Sequence, residues 1–451
     1  MSLPHSVQGA LFILDALKLT AMLTLILLAL FCLIFPAFLI WLTKKYAFFR
    51  KLGAIVLAYA VGIIIANVGI MPRSSDAFRE ATIGHDRSYI PKSEAVEMVA
   101  AGTLSQSDLR YNSIAAVQDS MQTALVLLAI PLILFSLNVR RWLRFSGKGF
   151  LSMLLALISV MVIVATGYLI FRDKVEGSDR IGGMLIGLYT GGSVNLASIA
   201  LALRVEPNAF IMTNTYDMIV GAVVILFFVS AGPAFFRLFL PPFKAPSEMT
   251  VKEADFKAVS EQMAEDFDDY TGIFKKETVL PLLGAMGLSI VVLGLGLGVS
   301  FLFPKVPMTI SVILAITTLG VAASFIKRIR EIRKTFQLGM YFIIAFSIVI
   351  ATRCDLSVIF QAKYLNLLLF VTYAYFGSLF LHLFLSWIFR ISVDDYLITT
   401  TGFVYSPPFV PMVAAALKNK DVILTGLATG MIGWILGNYI GVAFGMWLGR
   451  L

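Results

Sequence analysis

Residues 25–42 read LILLALFCLIFPAFLIWL, and stretches like it recur along the chain, each bounded by charged residues. A helix rises 1.5 Å per residue, so about 20 apolar residues cross the roughly 30 Å hydrocarbon core of a bilayer. Backbone in lipid must satisfy its own hydrogen bonds, which leaves helices or a closed barrel, and blocks of this length select helices. Composition agrees: 59% of the residues are hydrophobic and 14% charged, more apolar side chain than a soluble core uses. The expected class is an all-α polytopic membrane protein of about twelve transmembrane helices. They fall near 17–42, 52–71, 116–139, 149–171, 181–203, 209–236, 278–303, 307–326, 336–353, 364–389, 396–417 and 421–449. The first block, from about residue 11, is too long for a signal-peptide core and lacks a small-residue cleavage site, so it is read as retained.

Three loops are strongly basic: Lys44, Lys45, Arg50 and Lys51; Arg140, Arg141, Arg144 and Lys148; and KRIREIRK at 327–334. The positive-inside rule puts all three in the cytoplasm and the 72–115 loop outside. The net charge of +9 then reads as topology and lipid attraction, not as a nucleic-acid footprint. Cys32 and Cys354 stand apart, and His5, His85 and His382 have no ligand spacing, so neither a disulfide framework nor a metal cluster is expected.

The chain repeats itself. LIGLYTGGSVNLASIALAL (185–203) and the helix after it match LITTTGFVYSPPFVPMVAAAL (397–417) and its successor in length, order and placement of helix breakers. Residues 122–139 likewise resemble 337–354. The expected organisation is a first transmembrane repeat over 1–236, a hydrophilic linker over 237–277 and a second repeat over 278–451. An inverted repeat requires an odd number of crossings between matched helices, whereas twelve spans place six between them. One apparent crossing between 204 and 330 must therefore be re-entrant, or one half-hydrophobic piece such as AFFRLFLPPF (234–243) must be seated in the membrane.

TGGSVN and YSPPF interrupt their helices at corresponding positions. Proline removes a donor and clashes with the preceding turn, and glycine loosens it, so backbone groups lose their partners. In lipid that is tolerated where protein or a water-filled cavity supplies replacements, and paired interruptions point to a binding site. The expected binding residues are Thr190, Gly191, Gly192, Ser193 and Asn195 from one half, with Ser406, Pro407 and Pro408 from the other. Asp217, on the helix after the first interruption, lies about 12 Å below its start and so near the midplane. A carboxylate there costs roughly 3 kcal/mol and needs a partner, an ion or a proton, which marks it as an ion-coupling residue. Thr213 and Asn214 precede it by one turn on the same face. Packing alone would also explain each feature singly.

Other features have plainer readings. GLGLG at 294–298 lies inside an apolar span and is helix packing, not a dinucleotide loop. Gly433, Gly437, Gly441, Gly445 and Gly449 form a small-residue stripe that admits another backbone. DFDDY (266–270) belongs to an amphipathic linker helix with Phe256, Val259, Met263 and Phe267 at helical spacing. His382 is either a proton relay or a hydrogen-bonded core histidine. The chain has no protease, lipase or ATP-site motif, so no enzymatic activity is expected.

The GGSVN interruption followed by N-x-x-D on the next helix, paired with Ser-Pro-Pro in the second half, resembles the YjcL-like family of uncharacterised bacterial membrane proteins (DUF819). That family is grouped with the sodium/proton antiporters and the sodium/bile acid symporters. The resemblance implies a multi-pass bacterial inner-membrane protein with a scaffold and a core in which two broken helices cross. Na+ or H+ would bind beside the crossing, and Asn214 and Asp217 would take the antiporters' acidic positions. Span 364–389 has no counterpart of the antiporters' intramembrane lysine, which favours an organic solute moved with the ion. The expected function is thus an ion-coupled secondary transporter of a small organic solute, with a cation/proton antiporter as the alternative and an intramembrane enzyme or sensor behind both. Its partners would be the solute, Na+ or H+ and membrane lipids, with no cofactor and no nucleic acid, and a second copy of the chain could dock through the scaffold helices.

Overall fold

The computed structural model describes residues 5–82, 89–137, 147–243, 269–354, 362–419 and 421–451. His85, the basic residues Arg140, Arg141 and Arg144, and the linker positions Phe256, Val259, Met263 and Phe267 lie outside the described residues.

The protein is helical, and its continuous helices follow the apolar blocks. They are α1 (His5–Lys45), α2 (Ala54–Asn67), α3 (Gln106–Phe135), α4 (Gly147–Phe171), α5 (Pro207–Val229), α6 (Lys276–Ser300), α7 (Met308–Ser324), α8 (Thr335–Ala351), α9 (Ala362–Ile388) and α10 (Ile423–Leu448). Two further helical segments, Ser178–Leu203 and Val393–Leu417, are broken internally. Among the described residues eight helices, Ser178–Leu203 included, are long and apolar enough to cross a membrane, and four shorter apolar ones accompany them.

The chain forms two compact units, each drawing on both sequence halves. The first comprises residues 1–125 and 341–357. In it Gly62 of α2 packs directly on the backbone at Ile348 and Ala351 of α8, and Asn67 Nδ2 donates to the Cys354 carbonyl at 2.8 Å. Buried Phe78, Ile90, Ala95 and Leu104 form a small separate core in the segment between α2 and α3. Asn112 closes that segment by bonding both the amide and the carbonyl of Ile90 at 2.8 Å.

The second unit, residues 126–340 and 358–451, holds both broken segments. A straight 26-residue helix would be about 39 Å long. Yet Arg180 Nη1 reaches the Arg204 carbonyl at 3.3 Å, and a methyl on Gly183 would lie 2.7 Å from Leu203 Cδ1. Gly187 similarly faces Ile199, and Gly191 faces Asn195. Ser178–Leu203 is therefore a helical hairpin that turns back at Gly192. The second segment also folds back: Asn419 Nδ2 at its end donates to Asp394 Oδ2 at its start, at 2.6 Å, and the turn falls at Ser406. The expectation of two broken helices that cross is corrected here. The two segments are hairpins, because glycines on one arm of the first make room for bulky side chains on the other.

Helix α10 supports both hairpins. Gly433, Gly437, Gly441 and Gly445 receive the first, so that a Cβ on Gly433 would strike the Thr190 carbonyl oxygen and one on Gly445 would meet Leu203. Gly426 and Gly430 receive Ile398, Val410 and Pro407 of the second. The glycine stripe is packing, as its spacing suggests. At one face of the unit, Asp269 pairs with Lys334 at 3.0 Å. Burial pushes the Asp269 carboxyl up, but the Thr271 hydroxyl and amide and the Lys334 ammonium together bring it well below the usual carboxylate range.

Candidate functional site

The tips of the two hairpins touch. Gly192 has φ +66° and ψ −155°, a conformation open to glycine, and a Cβ there would collide with Ser406 Oγ. Ser406 itself has φ +74°, a strained value for a residue with a side chain, and is followed by Pro407, which is buried against Gly430. The expected binding residues thus gather at one place. Thr190 Oγ1 is turned onto its own helix, at 2.8 Å from the Ile186 carbonyl. Asn195 Nδ2 donates to the Gly433 carbonyl at 2.9 Å, while its Oδ1 is buried without a partner. Gly191 lies against the Asn195 amide, and Ser193 and Pro408 are partly exposed.

Asp217 lies one layer away, on α5. Its Oδ1 is buried and has no hydrogen-bond partner, and the Tyr189 hydroxyl is within hydrogen-bonding reach of the carboxylate. No described basic side chain pairs with it. Two more tyrosines close the surroundings. Tyr405, the residue before the second tip, donates its hydroxyl to the Gly221 carbonyl at 2.8 Å and contacts the Tyr375 hydroxyl of α9. The rings of Tyr189 and Tyr375 stand edge to face, with centroids 5.4 Å apart and planes at 86°. Gly221, one turn beyond Asp217, leaves the space that Tyr405 and Tyr375 fill. Thr213 and Asn214 are buried on the same helix, the Thr213 hydroxyl unpartnered and the Asn214 amide donating to Met218 Sδ at 3.1 Å.

The three tyrosines are the part that sequence reasoning missed, although Tyr189 and Tyr405 each precede an interruption within three residues. Between 185–203, 207–229, 364–388, 396–417 and 423–448, Asp217 is the single Asp, Glu, Lys or Arg. His382 is the one histidine in these segments, and it is bonded through both ring nitrogens, to Ser152 Oγ at 3.2 Å and Thr400 Oγ1 at 3.1 Å. That is the hydrogen-bonded core reading. No group of three metal-ligating side chains gathers among the described residues.

A family model described as "Protein of unknown function (DUF819)" matches residues 96–451. The chain belongs to the DUF819 family. It is also similar to the "Uncharacterized membrane protein YjcL" of Bacillus subtilis (strain 168), 22% identical over 426 residues, which cover 92% of this chain and 95% of that protein. The match supports a multi-pass membrane protein and takes in both hairpins and Asp217.

Proposed function

We propose that this DUF819 protein is an ion-coupled secondary transporter of a small organic solute in a bacterial inner membrane, driven by H+ or Na+ and working by alternating access. The observation that carries the reading is the buried, unpartnered carboxylate oxygen of Asp217 beside two hairpin tips that meet. A permanently ionised group there is costly, so a carboxyl that a proton or cation neutralises reversibly suits a coupling role. Helix ends and freed backbone at paired interruptions are the usual surroundings of such a group in carriers. The reading includes kinship with the sodium/proton antiporters and sodium/bile acid symporters, and it assigns the protein no enzymatic step.

Treating both hairpins as re-entrant also removes the odd-even conflict. The continuous helices α1–α10 then make ten crossings, α3 and α8 are five apart, and the two halves are inverted. All three basic loops fall on one side, as the positive-inside rule asks. The contact between Lys148 Nζ and the Phe389 carbonyl, 3.0 Å, supports this count, since twelve crossings would put those residues on opposite faces.

Proteoliposomes test the function. Wild type should accumulate solute under an imposed pH or Na+ gradient, and Asp217→Asn should lose concentrative uptake while remaining inserted. Gradient-driven uptake unchanged by Asp217→Asn would return Asp217 to a packing role.

A further inference from the structure

The site says something about the solute's charge. Its walls come from the first hairpin, α5, α9 and the second hairpin; within residues 185–203, 207–229, 364–388 and 396–417 of these, Asp217 is the single formal charge, while the buried Asp394 and Asp395 stand at the start of the second hairpin. The groups that titrate and face it are Tyr189, Tyr375 and Tyr405. The short helix Gly232–Phe236 and the hairpin arm Val410–Leu417, which also pack on α5, bring no titratable side chain. An organic anion would enter with no basic group to meet it and with a carboxylate to repel it. A small hard cation wants a shell of several oxygens, preferably carboxylate and carbonyl. Here the Gly221 carbonyl is already bonded by Tyr405, and three tyrosines stand around the carboxylate. One carboxylate flanked by three tyrosines is the combination that suits an alkylated ammonium, with Coulomb attraction at the carboxylate and cation–π attraction from the rings.

We propose that the transported solute is an organic ammonium ion, bound between Asp217 and the rings of Tyr189, Tyr375 and Tyr405, and exchanged for a proton. The exchange follows from having one carboxylate. Protonated Asp217 is neutral and holds no cation. When the ammonium binds, the carboxyl gives its proton to water, and the site again carries one compensated charge. Proton and ammonium therefore occupy the site in turn and move in opposite directions. This inference rests on the transporter reading above.

Tetraethylammonium serves as the probe, added to the purified full-length protein in weakly buffered detergent solution. Wild type should release up to one proton per bound cation, with binding weakening as pH falls. Asp217→Asn, checked for monodisperse elution, should release none. Tyr375→Phe keeps the ring and should bind within a few fold of wild type, whereas Tyr375→Leu should bind about 2- to 30-fold more weakly. Absence of cation-dependent proton release from wild type, or its persistence in Asp217→Asn, overturns the proposal. If Asp217-dependent flux under a pH or Na+ gradient survives that result in proteoliposomes, only the ammonium assignment has failed. If no such flux exists, the transporter reading has failed with it.

Discussion

Asp217 was legible in the sequence because a carboxylate inside an apolar helix needs a reason. The tyrosines were not, since an aromatic residue at helical spacing reads as core until its neighbours in space are seen. Gly192 stands between these cases. Its place in TGGSVN announced a break, but the contact that makes glycine necessary, the Ser406 side chain, lies 214 positions away in sequence. An alanine at 192 would need a positive φ and would drive its Cβ into Ser406 Oγ. Gly192→Ala should therefore destabilise the fold by about 1–3 kcal/mol and lower the thermal midpoint. Gly284→Ala, at a position whose Cβ would meet nothing within 4 Å, should leave it unchanged or slightly raised. Equal midpoints for the two variants would contradict the assigned geometry of the tip.

The hairpin shows why element existence reads more easily than element path. Residues 178–203 carry enough hydropathy and length for one crossing, and a window average cannot distinguish a straight 26-residue helix from two arms folded together. The signal lay in side-chain size. Gly183, Gly187 and Gly191 recur every four residues on the first arm, and Asn195, Ile199 and Leu203 do the same on the second, so a smooth face meets a bulky one in antiparallel register. In a straight helix residues 187 and 199 would be about 18 Å apart and independent. In the hairpin they touch. Gly187→Leu should lower the thermal midpoint, and Ile199→Ala in the same chain should restore much of it, a coupling of about 0.5–3 kcal/mol. Additive effects would mean that the arms do not pack. Gly433 offers a contrast, because there an added Cβ meets the Thr190 backbone carbonyl and no trimmed side chain can make room.

At the scale of the molecule, the apolar blocks and the matched interruptions were readable, and so was the inconsistency between twelve crossings and an inverted repeat. Its source was not, because which block turns back depends on contacts between residues up to 25 positions apart, such as Asp394 with Asn419. With both hairpins re-entrant they enter from opposite faces and meet at Gly192 and Ser406, and that symmetry is what would let one site open to either side in turn. The alternating access proposed for Asp217 depends on it. The direct measurement is sidedness of labelling by a membrane-impermeant maleimide, in a chain whose buried Cys32 and Cys354 have been replaced and single cysteines placed at exposed positions. Ala101, Glu176 and Glu206 should react from the outside, and Phe274 and Arg328 from the cytoplasm. Labelling of Glu176 and Glu206 from opposite sides would mean that residues 178–203 cross the membrane, and the account of two facing hairpins would be wrong.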